Sequence, residues 1–155
     1  MTAADRAQAP ADLVIGVGHS YRSDDAAGPV VARALAERGL PAIVHEGEGS
    51  ALLDLWQGLD HVIVVDAVAG SEPGTLHRLD TNSGALPKVR FVHSTHDLGL
   101  PEALALGERF DRLPARLSII GITGSDFSIG EDMTAPVRAA TMQVIDELTA
   151  LLSGD

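Results

Sequence analysis

Cysteine is absent from the 155 residues. That excludes disulfides, thiolate metal sites, iron–sulfur clusters and cysteine nucleophiles. Lysine occurs once, as Lys88, and 11 basic side chains stand against 22 acidic ones, a net charge of −11. Such a surface repels nucleic acid and anionic membranes. It suits a basic peptide or a metal cation, or serves solubility alone. No apolar run approaches the roughly 18 residues that would suggest a membrane span. Residues 1–12 show no basic stretch leading into an apolar core, so no secretory signal is read there. The expectation is a cytoplasmic protein with neither nucleic acid nor membrane as partner.

What is present is enough for one domain with a real core, since 45% of the residues are hydrophobic. Residues 1–11 read as a flexible N-terminus and 12–153 as a single domain. Leu13 to Val17 has the short apolar pattern of a buried strand. A helix is expected to begin near Ala26 to Pro29 and to stop at Gly39. Ala42 to His45 reads as a strand. Ala51 to Gln57 reads as a short helix with Ser50 as N-cap. His61 to Val65 is the clearest strand, running into Asp66. Thr75 to Leu79 follows too soon for a helical crossover, so it is expected to pair antiparallel at or near a sheet edge. Val89 to Val92 is a further apolar segment, running into His93-Ser94-Thr95-His96. Leu98 to Phe110 has helical spacing, and Leu117 to Thr123 reads as a strand. Val137, Thr141, Val144, Leu148 and Leu151 mark one face of a final helix, with Thr134 as N-cap and Pro136 in the first turn. Strands alternate with helices. The fold class is α/β: a three-layer domain with a mostly parallel twisted sheet of about five strands, one of them antiparallel, and helices on both faces. No broad exposed apolar stripe is evident, and a monomer is expected.

Three segments bring chemistry to the carboxyl ends of strands, where sites form in open α/β sheets. Residues 16–28 read Gly-Val-Gly-His-Ser-Tyr-Arg-Ser-Asp-Asp-Ala-Ala-Gly and carry the acid pair Asp24 and Asp25. A dinucleotide fingerprint needs a third glycine where Tyr21 stands, and the acids would repel a pyrophosphate. A phosphoacceptor module would want a lysine at a late strand end, but Lys88 follows a proline in a loop. No Gly-x-Ser-x-Gly elbow marks a serine hydrolase. Asp25, Asp66 and His96 offer two oxygens and one nitrogen, a set suited to a divalent transition metal with open positions. The same residue types also serve as ordinary caps at strand ends. Asp24 reads as a helix-start cap, favoured by the helix dipole. His45, His61 and His77 read as structural or exposed. Tyr21 and Trp56 could rim a peptide site, and Trp56 could equally pack in the core.

The chain resembles the hydrogenase maturation endopeptidases, which trim the large subunit of nickel–iron hydrogenases. The matching pieces are Gly16-Val17-Gly18 with the acid pair before Ala26 and Gly28, Val64-Val65-Asp66-Ala67, Pro73-Gly74-Thr75, Ser94 to Leu100, Ile120-Gly121-Ile122, and Thr134-Ala135-Pro136 before the final helix. The resemblance implies that Asp25, Asp66 and His96 engage metal and carry catalysis. It implies a nickel ion presented by the precursor subunit rather than resident in the enzyme, with other divalent metals as substitutes. The implied partner is the large-subunit precursor, which loses a C-terminal extension. The turn Gly47-Glu48-Gly49 corresponds to a region linked to the cleavage segment and is expected to bind substrate. Two departures stand out. His19 replaces the family's asparagine, as an extra ligand or a hydrogen-bonding substitute, and Glu48 occupies a glycine position of an Asp-Gly-Gly-Thr-like turn. They motivate an alternative, a non-catalytic nickel-binding or hydrogenase-assembly module. A small-molecule enzyme with an acidic pocket is a third reading.

Overall fold

The computed structural model describes residues 10–46, 48–80 and 100–154. Among these, five strands form one sheet: β1 (Leu13–Val17), β2 (Ala42–His45), β3 (His61–Ala69), β4 (Leu76–Asp80) and β5 (Arg116–Gly124), in the order β2-β1-β3-β5-β4. β1 pairs parallel with β2 and β3, and β3 pairs parallel with β5. β4 pairs antiparallel with β5 at the edge, as its short connection requires. The helices are α1 (Ala27–Glu37), α2 (Gly49–Trp56), α3 (Leu100–Arg109) and α4 (Ala135–Ser153), with a 3-10 turn at Ser23–Ala26. None is long and apolar enough to cross a membrane.

Period-two alternation splits the central strands between two cores. Val14, Ile63, Val65, Ile120 and Ile122 face α1 and α4, packing against Val31, Leu35, Val144 and Leu148. Ile15, Val62, Val64, Leu117 and Ile119 face α2 and α3, packing against Leu52, Trp56 and Ala103. Trp56 is fully buried, so it belongs to the core and not to a rim. The final helix has the expected face, with Val137, Thr141, Val144 and Leu148 buried. It ends at Gly154, whose φ of 76° supplies the left-handed cap.

Three expectations need correction. β3 runs on to Ala69, paired throughout with β5, so Asp66 lies within the strand opposite Gly121 and does not end it. The cap of α2 is Glu48, not Ser50: its carboxylate accepts the amides of Ser50 at 3.1 Å and Ala51 at 2.9 Å. The longer side chain reaches forward over the first turn, and the helix starts two residues earlier than its apolar pattern suggested. Ala11 is buried with the α1/α4 core. The crossover to α1 begins as a 3-10 turn that contains both acids, so Asp24 is not a cap placed ahead of the helix. The strand expected at Val89 to Val92 lies outside the described residues.

The helix α1 meets the sheet backbone to backbone. A Cβ on Gly28 would fall inside contact distance of the carbonyl oxygens of Val17 and Val65. One on Gly16 would collide with the Gly28 carbonyl. This contact seats the first turn of α1, and the 3-10 turn before it, on the carboxyl edge of β1 and β3. Gly28→Ala should therefore cost about 3 kcal/mol or more, because rigid backbone must move. A urea titration would show a lower midpoint; a midpoint matching that of the unmodified protein would mean the contact is looser than described.

Candidate functional site

The chain leaves β1 through Gly18, whose amide donates to the His45 carbonyl at 3.0 Å. Its φ of 144° lets the backbone pass against the Asp25 carbonyl, where a side chain would clash. The Asp25 amide then donates to the Arg22 carbonyl at 3.0 Å, closing the 3-10 turn. Ser23 takes a φ of 49°, in the left-handed region. For a residue with a side chain that conformation stores about 1–3 kcal/mol and persists only when neighbours over-determine it. Here the Ser23 hydroxyl donates to the Asp132 carbonyl at 2.8 Å.

Asp25 is 5% exposed, and its Oδ2 accepts the His19 amide at 3.0 Å. Burial raises its pKa; the His19 amide and the nearby His19 and Arg22 charges oppose that rise. Asp66 is 4% exposed, and its Oδ1 accepts the amide of the next residue, Ala67, at 2.8 Å. Burial holds its pKa well above the usual carboxylate range, and the Asp25 charge pushes it further. The two carboxylates thus share one neighbourhood, and among the described residues each accepts one hydrogen bond. Two like charges so placed favour retention of a proton, or the arrival of a cation. Among the described residues no group of three His, Asp or Glu side chains is placed to hold a metal ion. His96, the third expected ligand, lies outside the described residues.

His19 meets Asp25 through its backbone. Its Nε2 is buried without a hydrogen-bond partner among the described residues, as is Arg22 Nε. Tyr21 stands 81% exposed beside this tract. Of the expected substrate turn, Gly47 lies outside the described residues. Glu48 is committed to capping α2, and Gly49 is the buried first residue of that helix. The Glu48 pKa is lowered by its bonds to Ser50 and Ala51. His61 is buried with Nε2 2.9 Å from the Ser118 hydroxyl, and His77 Nε2 lies 2.9 Å from the Thr123 hydroxyl. His61 lies at the opposite end of the β3–β5 pairing from Asp66, whereas His77 stands level with Asp66, both being opposite Gly121, and its ring is engaged by Thr123.

Asp24 has a different place from the one the sequence suggests. It is fully buried, and its carboxylate accepts the amides of Ser125, Asp126 and Thr134. These donors lie in the β5–α4 connection, about a hundred residues away in sequence. Nothing local in the sequence announces them.

The comparisons with known proteins agree with this architecture. The family model described as hydrogenase maturation protease matches residues 32–151, more than half of the chain. That stretch includes Asp66 and His96 but begins after Asp25. The chain is 29% identical over 148 residues to the hydrogenase 2 maturation protease of Escherichia coli strain K12, covering 90% of this chain and 89% of that one. It superposes on the hydrogenase maturating endopeptidase HybD from E. coli with a TM-score of 0.70 and 26% identity, over 92% of this chain and 91% of that chain. The [NiFe] hydrogenase maturation protease HybD from Thermococcus kodakarensis shares the fold, with a TM-score of 0.71 at 21% identity over 90% of this chain and 97% of that one.

The raised pKa of Asp66 makes a pH-dependent stability prediction. A carboxyl whose folded pKa exceeds its unfolded value binds more protons when folded. Its charge therefore costs stability as pH rises from the unfolded value, about 3.9, through the folded one. Asp66→Asn removes that charge and keeps an acceptor for the Ala67 amide. It should be more stable than the unmodified protein at pH above the raised folded pKa, with the advantage shrinking as pH falls through that value toward the unfolded one, about 3.9, and changing no further below it. Thermal melts across pH test this; an advantage that did not vary with pH would contradict it.

Proposed function

This chain belongs to the hydrogenase maturation protease family, and from that premise we propose that it removes a C-terminal extension from the nickel-loaded large-subunit precursor of a nickel–iron hydrogenase. The observation that carries this reading is the buried pair Asp25 and Asp66, two carboxylates near the carboxyl ends of the central strands that each accept one hydrogen bond among the described residues. His96 completes the proposed set. Nickel is part of the substrate: it arrives in the precursor and is engaged by these three residues. So held, the precursor's C-terminal region lies against the site. The metal can then polarise the scissile carbonyl or a water, which adds to the carbonyl carbon as the C–N bond breaks. The products are the mature C-terminus and the free amine of the extension. The turn at 47–49 is proposed to touch the cleavage segment. Glu48 contributes there as the cap that fixes the start of α2.

The test mixes the protein with large-subunit precursor, with and without nickel, and follows shortening of the precursor. Cleavage should require the loaded form. Asp25→Ala, Asp66→Ala and His96→Ala should each slow it by at least about a hundredfold. Wild-type rates in those variants would remove the site assignment. Binding to the precursor without shortening would favour the non-catalytic assembly module instead.

A further inference from the structure

We propose that Asp24 is a positioning residue for the cleavage site, fixing the 3-10 turn so that Asp25 is aimed toward Asp66. This rests on the reading that Asp25 engages the substrate. The Asp24 carboxylate makes no helix cap on α1. Its Oδ2 accepts Ser125 N–H at 2.8 Å and Asp126 N–H at 3.1 Å, and its Oδ1 accepts Thr134 N–H at 2.8 Å. The Thr134 hydroxyl lies 3.0 Å from both oxygens. The Asp24 amide donates in return to the Asp126 carbonyl at 2.9 Å. Two further bonds run the same way: the Ser23 hydroxyl to Asp132 O at 2.8 Å, and Gly130 N–H to Tyr21 O at 2.8 Å. Residues 21–24, the stretch leading into Asp25, are therefore sewn to residues 125–134. Gly124 makes the approach possible, since a Cβ there would sit 2.8 Å from the Asp24 Cβ.

The clamp has something to hold. Ser23, immediately before Asp24, has a φ of 49°. Released from its tethers, that residue would relax toward the right-handed region and rotate the following residues. Asp25 is the next residue after Asp24, so its side chain would turn with them. Asp24 itself has its lone pairs spent on backbone amides and a hydroxyl, leaving it no part in metal or substrate contact. The adjacent acids thus divide the work between holding and reacting.

The experiment compares Asp24→Asn, Thr134→Val and Thr134→Ser in the full chain. An asparagine presents donors where two amides already donate. The valine removes only the hydroxyl, and the serine restores it. With nickel-loaded precursor, Asp24→Asn should lower kcat at least about tenfold while KM stays within about twofold, because geometry and not docking is disturbed. Thr134→Val should lower kcat by a smaller factor, and Thr134→Ser should return it to near wild type. Independently of any substrate, the Asp25 and Ala67 amide resonances should shift in Asp24→Asn and Thr134→Val and return in Thr134→Ser. Unshifted Asp25 signals, or wild-type kcat in folded Asp24→Asn and Thr134→Val, would overturn the proposal. If Asp24→Asn does not fold, the two Thr134 variants decide it alone. If the unmodified protein cleaves nothing, the function proposed above fails, while the resonances still judge the positioning.

Discussion

The approach of α1 to the sheet at Gly16 and Gly28 is the constraint on which the site depends. Without side chains at these two positions, helix and strand backbones come into contact across β1 and β3. A helix at an ordinary spacing of 8–10 Å or so would stand off the sheet by the thickness of its side chains. The turn before it would then be lifted into solvent, and Asp25 would be hydrated. Instead the turn is pressed onto the carboxyl edge, close enough that Asp25 raises the pKa of Asp66. The left-handed Ser23 is the local consequence: a chain drawn down so tightly between Gly18 and Ala27 must turn sharply.

Three aspartates are buried around that edge, and their hydrogen bonding separates them. Asp24 is surrounded by three backbone amides and a hydroxyl, which compensate the loss of water. Asp25 and Asp66 each show one amide donor. A buried carboxylate so sparsely served is costly, and the cost is compounded by the second one beside it. A fold seeking only stability would replace either acid with an apolar or amide side chain. Their presence, together with their placement where α/β sheets form sites, distinguishes them from Asp24, the structural acid that precedes them.

Much of this was legible in the residues. The alternation of apolar runs with helical periods indicated the layered sheet. The nine-residue connection before Thr75 indicated the antiparallel edge. What was not legible had long-range causes. Asp24 read as a cap because caps are local; its true donors are brought to it by β5 and the start of α4. β3 read as ending at Asp66 because a carboxylate interrupts an apolar run, yet its pairing with β5 continues through Ala69. Ser50 read as the cap of α2 because serine is the commoner choice, whereas Glu48 reaches both amides from two residues earlier. In each case a residue's type suggested a nearby partner, and the tertiary fold supplied a different one.

On the proposed reading, the same electrostatics would explain why cleavage waits for metal. A precursor without nickel brings nothing to offset two adjacent carboxylates, and its docking would bury them further at added cost. A precursor carrying a divalent cation converts that repulsion into attraction. The carboxyls then release whatever proton they hold, so engagement is coupled to proton release and strengthens as pH rises. The overall charge of −11 acts in the same direction at longer range, drawing cations toward the surface. The discrimination needs no separate sensor. It follows from placing two acids where neither is adequately solvated, and from holding one of them there by a strained turn that a third acid ties down.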